Sequence, residues 1–168
     1  RWVGHSAVAV LDGGMAAWQS QGLPMSTDVP VRAPGTIADQ APLVAAVSAN
    51  DVLDRGGRTV IDARAPDRFR GENETLDPVG GHIPGAKNRF FKDNLEADGR
   101  FKSAEQLKAG FAPLLGDPKA AVMQCGSGVT ACHNLFALCL AGYALAPLYA
   151  GSWSEWITDP ARPIATGD

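Results

Sequence analysis

AAVMQCGSGVTA, residues 120 to 131, holds a strand signal, a glycine turn and a helix start in succession. Its first half, AAVMQC (120 to 125), is a compact apolar run, too short for a helix and suited to a buried strand. Two glycines one residue apart then force a turn, and the mostly apolar stretch from Ala131 to Tyr143 reads as a helix. Strand, glycine turn and helix make one α/β unit, and open parallel sheets bind ligands beyond the C-terminal ends of their strands. Cys125 stands at that place. Gly126 and Gly128 let the loop turn its N–H groups inward, and the positive end of the following helix points at the same spot. An anion held there is stabilised by backbone donors without a charged side chain, and a cysteine thiolate opening the cradle is such an anion. Cys125 is therefore the candidate nucleophile. Its plainer alternative is a buried cysteine beside an incidental turn, since free cysteine is among the most buried residue types.

The rest of the chain alternates in the same way. Ser48 caps a short helix through Leu53 that stops at Gly56 and Gly57, and TVIDA (59 to 63) reads as a second buried strand. Arg64 to Gly85, with Gly71, Pro78, Gly80, Gly81 and Pro84, reads as a long irregular loop of the kind that carries function. Ser103 caps a helix with Leu107, Phe111, Leu114 and Leu115 on one face, ending at Gly116. APLYA (146 to 150) is a third strand before a closing helix. The expected class is α/β, a doubly wound sheet with helices on both faces.

A repeat divides the chain. VLDGGMAAW (10 to 18) and LYAGSWSEW (148 to 156) each run from apolar residues to a glycine, Gly13 or Gly151, and to a tryptophan five positions later, Trp18 or Trp156. Each then reaches a proline, Pro24 or Pro163. Both read as a short buried strand, a glycine turn and a helix whose tryptophan packs back on its own domain. Ser26 to Pro42, with Pro30, Pro34, Gly35 and Pro42, reads as an extended linker. The expected organisation is residues 1 to 25 as the tail of a preceding domain, 26 to 44 as linker and 45 to 168 as a complete domain. A chain of 168 residues that is 45% hydrophobic and 20% charged has the composition of a globular protein with its own core. A net charge of -3 with no basic cluster argues against a nucleic-acid partner. No apolar run approaches the roughly 20 residues of a membrane span, so the expected location is the cytoplasm without a membrane partner. Cys125, Cys132 and Cys139 match neither a disulfide framework nor a metal-ligand spacing, so no metal or other cofactor is expected. Cys132 and Cys139 fall on one face of the apolar helix and read as core residues.

Two rival chemistries use a similar loop. Residues 126 to 131 fit the dinucleotide pattern GxGxxA, which needs an acidic residue about 20 positions on; Leu148, Tyr149 and Ala150 stand there. A cysteine phosphatase needs an arginine at the end of the loop to clamp phosphate, where this chain has Ala131 and Cys132. The uncharged loop suits a small atom bonded to sulfur better than a dianion.

CGSGVTA (125 to 131), GSWSEW (151 to 156), DAR (62 to 64), RFRG (68 to 71) and GHIPGA (81 to 86) together resemble the catalytic C-terminal domain of tandem rhodanese-type sulfurtransferases, over about residues 45 to 166. Residues 5 to 25 resemble the end of that family's non-catalytic first domain. The resemblance implies a central, mostly parallel sheet of about five strands, and a Cys125 that accepts a sulfane sulfur as a persulfide and hands it to a thiol, such as that of thioredoxin, or to cyanide. Gly126, Ser127, Gly128, Val129 and Thr130 would cradle the persulfide. Members of the family that prefer thiosulfate commonly carry Arg and Lys after the nucleophile, whereas those that use 3-mercaptopyruvate resemble this chain at Gly126 and Ser127. The physics agrees, since thiosulfate is a dianion and mercaptopyruvate carries one carboxylate remote from its sulfur. Thiosulfate as donor, and a non-catalytic sulfur-carrier module, are the alternatives. The resemblance further implies that Ser127 manages protons with an Asp and a His of the first domain. Arg68 would hold the substrate carboxylate, with Arg70 a second candidate. A further arginine that the family's mercaptopyruvate members carry is missing from ENETLDP (72 to 78). His5 and His82 read as turn or surface residues, His82 bonding backbone, and Asp62 with Arg64 as a structural pair.

Overall fold

Strands β2 (Thr59–Asp62) and β4 (Ala121–Gln124) lie side by side in parallel, Thr59 opposite Ala121 and Asp62 opposite Gln124. Alternate residues of a strand face opposite sides of its sheet. Val60 and Val122 accordingly enter one apolar cluster, while Ile61 and Met123 enter the other. Both clusters are closed by helices, which is why Val60, Ile61, Val122 and Met123 are apolar on both faces, while the strands end on the buried polar residues Asp62 and Gln124. In this computed structural model, residues 2–36, 38, 40–116 and 120–168 are described.

Three further strands complete a parallel sheet. They are β1 (Ala46–Val47), β3 (Lys87–Asn88) and β5 (Leu148–Tyr149), in the order β1-β5-β4-β2-β3. The helices in chain order are α1 (Gly14–Ser20), α2 (Ala49–Leu53), α3 (Pro66–Arg70), α4 (Ala104–Phe111), α5 (Val129–Leu140) and α6 (Ser152–Trp156). On one face α4 and α5 bury Leu107, Phe111, Leu135 and Leu138. On the other α2 and α6 bury Val52, Trp153 and Trp156, against Tyr149. The expected doubly wound α/β sheet of about five strands is what the chain forms, with every pairing parallel. Among the described residues, no helix is long and apolar enough to cross a membrane.

The boundaries differ from the sequence reading for local reasons. Ser48 and Ser103 each close a reciprocal capping box, with Asp51 and Gln106. Helix α4 stops at Phe111 rather than at Gly116, because Pro113 has no N–H to continue the ladder. Helix α5 begins at Val129, two residues early, because Gly128 itself takes the left-handed φ of 81° that starts it. The stretch read as one irregular loop contains α3, with Pro66 at its first position and Gly71 in the left-handed conformation at its end. Cys132 and Cys139, expected in the core, are exposed; they border an apolar hollow of about 550 Å³ that Trp2, Phe136 and Leu145 also line.

The two copies of the repeat share a contact. Trp18 Nε1 donates to the Pro24 carbonyl at 3.0 Å, and Trp156 Nε1 donates to the Pro163 carbonyl at 2.9 Å. They differ in burial, since Trp156 is fully buried while Val10, Leu11 and Met15 of the first copy are each more than half exposed. The strand expected before Gly13 is not formed, whereas its counterpart is β5.

Candidate active site

Cys125 follows directly on β4, the middle strand, and is 2% exposed. Its backbone is pinned by the segment that opens α6. The Cys125 N–H donates to Ser152 Oγ at 3.1 Å, and the Cys125 carbonyl accepts from the Trp153 N–H at 3.0 Å. The Gly126 carbonyl accepts from the Ser154 N–H at 2.9 Å. The Ser152 hydroxyl in turn donates a hydrogen bond to the Tyr149 carbonyl at 2.9 Å. The end of β5 and the start of α6 thus form one wall of the loop. Gly128 is packed against that wall so closely that a Cβ there would come within 2.7 Å of the Ala150 carbonyl oxygen.

Beside the loop lies a cavity of about 330 Å³, lined by Cys125, Gly126, Ser127, Val129 and Thr130, and across from them by Arg68 and Asp77. The N–H groups of residues 126 to 130 have no protein acceptor among the described residues. They include the first amides of α5, which no helix can satisfy internally. Unspent donors at a helix start therefore lie next to the Cys125 thiol. Gly128 closes the loop from behind without lining the cavity. Among the described residues no group of His, Cys, Asp and Glu is arranged to hold a metal ion.

Arg68 reaches the cavity from α3, its guanidinium nitrogens just under 4 Å from where a Cβ on Gly126 would stand. Its charge is already engaged. Nε and Nη2 grip the Glu74 carboxylate at 2.7 to 3.0 Å, and Nη2 also meets Asp77 Oδ2 at 3.2 Å. Nη1 is the nitrogen of this guanidinium with no partner among the described residues. Burial works to raise the Glu74 pKa, but Arg68 and the N–H groups of Leu76 and Asp77 outweigh it and hold the carboxyl below its usual value. Asp77 is fixed from behind by the Ser154 hydroxyl, which donates to Oδ1 at 2.7 Å. Sequence reading missed Glu74, Asp77, Ser152 and Ser154; the one signal available was the acidic run in the loop after Arg68.

The remaining candidates separate from the site or support it from beneath. Arg70 is not among the residues lining the cavity and pairs with Glu72 at 2.8 Å on the surface. Residues two apart on a helix do not share a face, so α3 turns Arg70 away from Arg68. Arg64 and Asp62 form the expected structural pair, buried at 2.7 Å, with Arg64 also donating to the Gly81 carbonyl and lying over the Trp153 ring. His82 places Nδ1 2.9 Å from the Phe69 carbonyl and stacks on the Phe69 ring; His5 is exposed. His133 sits between Phe91 and Phe101 on α5, where burial pushes its pKa down.

The rhodanese-like domain family model matches residues 45–159. A probable 3-mercaptopyruvate sulfurtransferase of Pseudomonas aeruginosa is 53% identical over 99% of this chain and 61% of its own length. The 3-mercaptopyruvate sulfurtransferase of Homo sapiens is 40% identical over 97% of this chain and 57% of its own length. A sulfur carrier protein, TtuD of Thermus thermophilus, is 34% identical over the whole chain and 65% of its own length. The chain thus spans about three fifths of the length of these curated relatives. Among solved structures, an EanB variant in complex with ergothioneine matches with a TM-score of 0.85 at 24% identity, over 99% of this chain and 43% of that one. At that identity the likeness concerns the fold. With the matched model covering the sheet, the cysteine loop and α6, this chain belongs to the rhodanese-like domain family.

Proposed function

We propose that this chain transfers a sulfane sulfur from 3-mercaptopyruvate to a thiol or to cyanide through a persulfide on Cys125. The observation that carries this reading is Cys125 at the head of a loop without charged side chains, whose N–H groups at residues 126 to 130 are unspent, facing a single free guanidinium nitrogen of Arg68. In the first half-reaction the Cys125 thiolate attacks the substrate sulfur. The carbon–sulfur bond breaks, its electron pair leaves on carbon as the enolate of pyruvate, and protonation gives pyruvate. The outer sulfur then lies as an anion among the loop amides, with the Ser127 and Thr130 hydroxyls as further donors. In the second half-reaction the acceptor attacks that sulfur and the Cys125 thiolate departs. Arg68 receives the donor carboxylate end-on, since its side edge is occupied by Glu74.

The tail-and-linker reading of residues 1 to 44 belongs to the same proposal. It is supported by the tryptophan-to-proline hydrogen bond that both copies of the repeat make. A preceding rhodanese-like domain would then supply the Asp and His that work with Ser127. All three cysteines are free thiols, as a reducing compartment such as the cytoplasm keeps them.

Mass spectrometry after incubation with mercaptopyruvate tests the reading. One added sulfur atom is expected, removed by cyanide and absent from Cys125→Ser; equal gain in that variant would refute it. Comparing kcat/KM for mercaptopyruvate and thiosulfate decides the donor. The sulfur-carrier alternative draws on the likeness to a sulfur carrier protein. It predicts loading of Cys125 from a small persulfide with little turnover of mercaptopyruvate.

A further inference from the structure

The charges around the cavity form a closed group. Two arginines, Arg64 and Arg68, stand among three carboxylates, those of Asp62, Glu74 and Asp77. Asp62 neutralises Arg64 out of contact with solvent. Glu74 is built into the loop, accepting from the N–H groups of Leu76 and Asp77 as well as from Arg68, and is not among the residues lining the cavity. Asp77 differs from both. It lines the cavity, is held by the Ser154 hydroxyl on one oxygen, and turns the other to Arg68 Nη2 at 3.2 Å. The arginine that meets the donor therefore has one nitrogen free, one shared between two carboxylates, and a fixed negative charge beside it.

Resting on the sulfurtransferase reading, we infer that Asp77 is a specificity-determining residue: an anionic lip that lets one carboxylate dock end-on at Arg68 and excludes donors carrying a second negative charge. A monocarboxylate gains the hydrogen bonds of Nη1 and meets the repulsion of Asp77 once. A dianion doubles its attraction to Arg68 and its repulsion from Asp77 alike, and because the two arginines stand among three carboxylates the net effect of a second charge is repulsive. Discrimination arises here from a repulsive element as much as from an attractive one. The uncharged loop adds no cation that could offset it.

Unreactive anions test the lip separately from sulfur transfer. In a Cys125→Ser background, binding of pyruvate and of sulfate is measured by titration calorimetry with Asp77 intact, with Asp77→Asn and with Asp77→Glu. The Asn variant keeps an acceptor for Ser154 and loses the charge. It is expected to bind pyruvate about fourfold tighter and sulfate about fifteenfold tighter, while the Glu variant stays near the parent. In Cys125 protein the same substitution is expected to raise kcat/KM for thiosulfate more than for mercaptopyruvate, chiefly through KM. Unchanged anion affinities in Asp77→Asn, or an equal gain in Asp77→Glu, overturn the inference even if sulfur transfer is established. The anion shift in a chain that loads no sulfur overturns the sulfurtransferase reading and leaves the charge lip standing.

Discussion

Ser152 holds φ at 55°, a left-handed conformation that costs a non-glycine residue about 1–2 kcal/mol, in complete burial. The conformation aims its hydroxyl between two backbone groups, taking the Cys125 N–H and donating to the Tyr149 carbonyl. Ser152→Ala keeps the strained backbone and leaves both groups unpaired, so we expect a loss of about 2–3 kcal/mol in urea unfolding. Ser152→Gly relieves the strain and should lose about 1 kcal/mol less. That ordering separates backbone strain from hydrogen bonding; a glycine variant less stable than the alanine one would contradict it. At Gly128, φ of 81° and the Ala150 carbonyl leave no room for a methyl group. Gly128→Ala should displace the start of α5 and lower sulfur loading of Cys125 by more than tenfold in single-turnover assays.

At the level of elements, α6 fastens the loop that carries the acids. Trp153 Nε1 donates to the Val79 carbonyl at 2.8 Å, and Ser154 holds Asp77. Glu74 ties the same loop to Arg68 on α3. Because its pKa in the folded protein lies below the usual 4.5, this tie contributes stability that is present above pH 4.5 and is lost as pH falls through the lower folded value. Glu74→Gln should destabilise the chain by about 1–2 kcal/mol at pH 7, since it removes a charged hydrogen-bond partner while Arg68 keeps Asp77. The Tm difference between variant and parent should narrow below pH 4.5; a constant difference across the acid range would show that the carboxylate charge is not what holds the loop. Helix α3 also shows what was legible at this scale. Pro66 and Gly71 mark its start and stop in the sequence, yet the density of glycine and proline downstream to Pro84 hid a five-residue helix inside a loop.

Across the whole molecule, residues 2 to 25 meet the sheet through Asp12, which accepts the Phe101 N–H at 2.9 Å, and through Trp2, which lines the hollow beside Cys132 and Cys139. Residues 29 to 35 are exposed and outside any helix or strand. Trypsin should therefore cut first after Arg32, and the large fragment should unfold with a free energy within about 1 kcal/mol of the intact chain, measured in urea. A fragment that unfolds on cleavage would mean that the first segment is part of the core. Near neighbours in the chain account for the capping boxes at Ser48 and Ser103, the apolar residues of β2 and β4, and the turn of Gly126 and Gly128 that puts Cys125 at a strand end. Folding settled what depends on partners distant in the chain. Strands β1 and β3 are two residues long and exist through pairing, Ala46 with Leu148 and Lys87 with Ile61. Arg68 and Arg70 are alike in sequence, and only the fold sends one to the cavity and the other to Glu72. The acids that cover Arg68 were likewise undecided until the loop closed. The division is physical: turns, caps and burial periods are set within a few residues, whereas hydrogen-bond pairing of strands and Coulomb contacts of side chains act across distances that only the folded chain brings short.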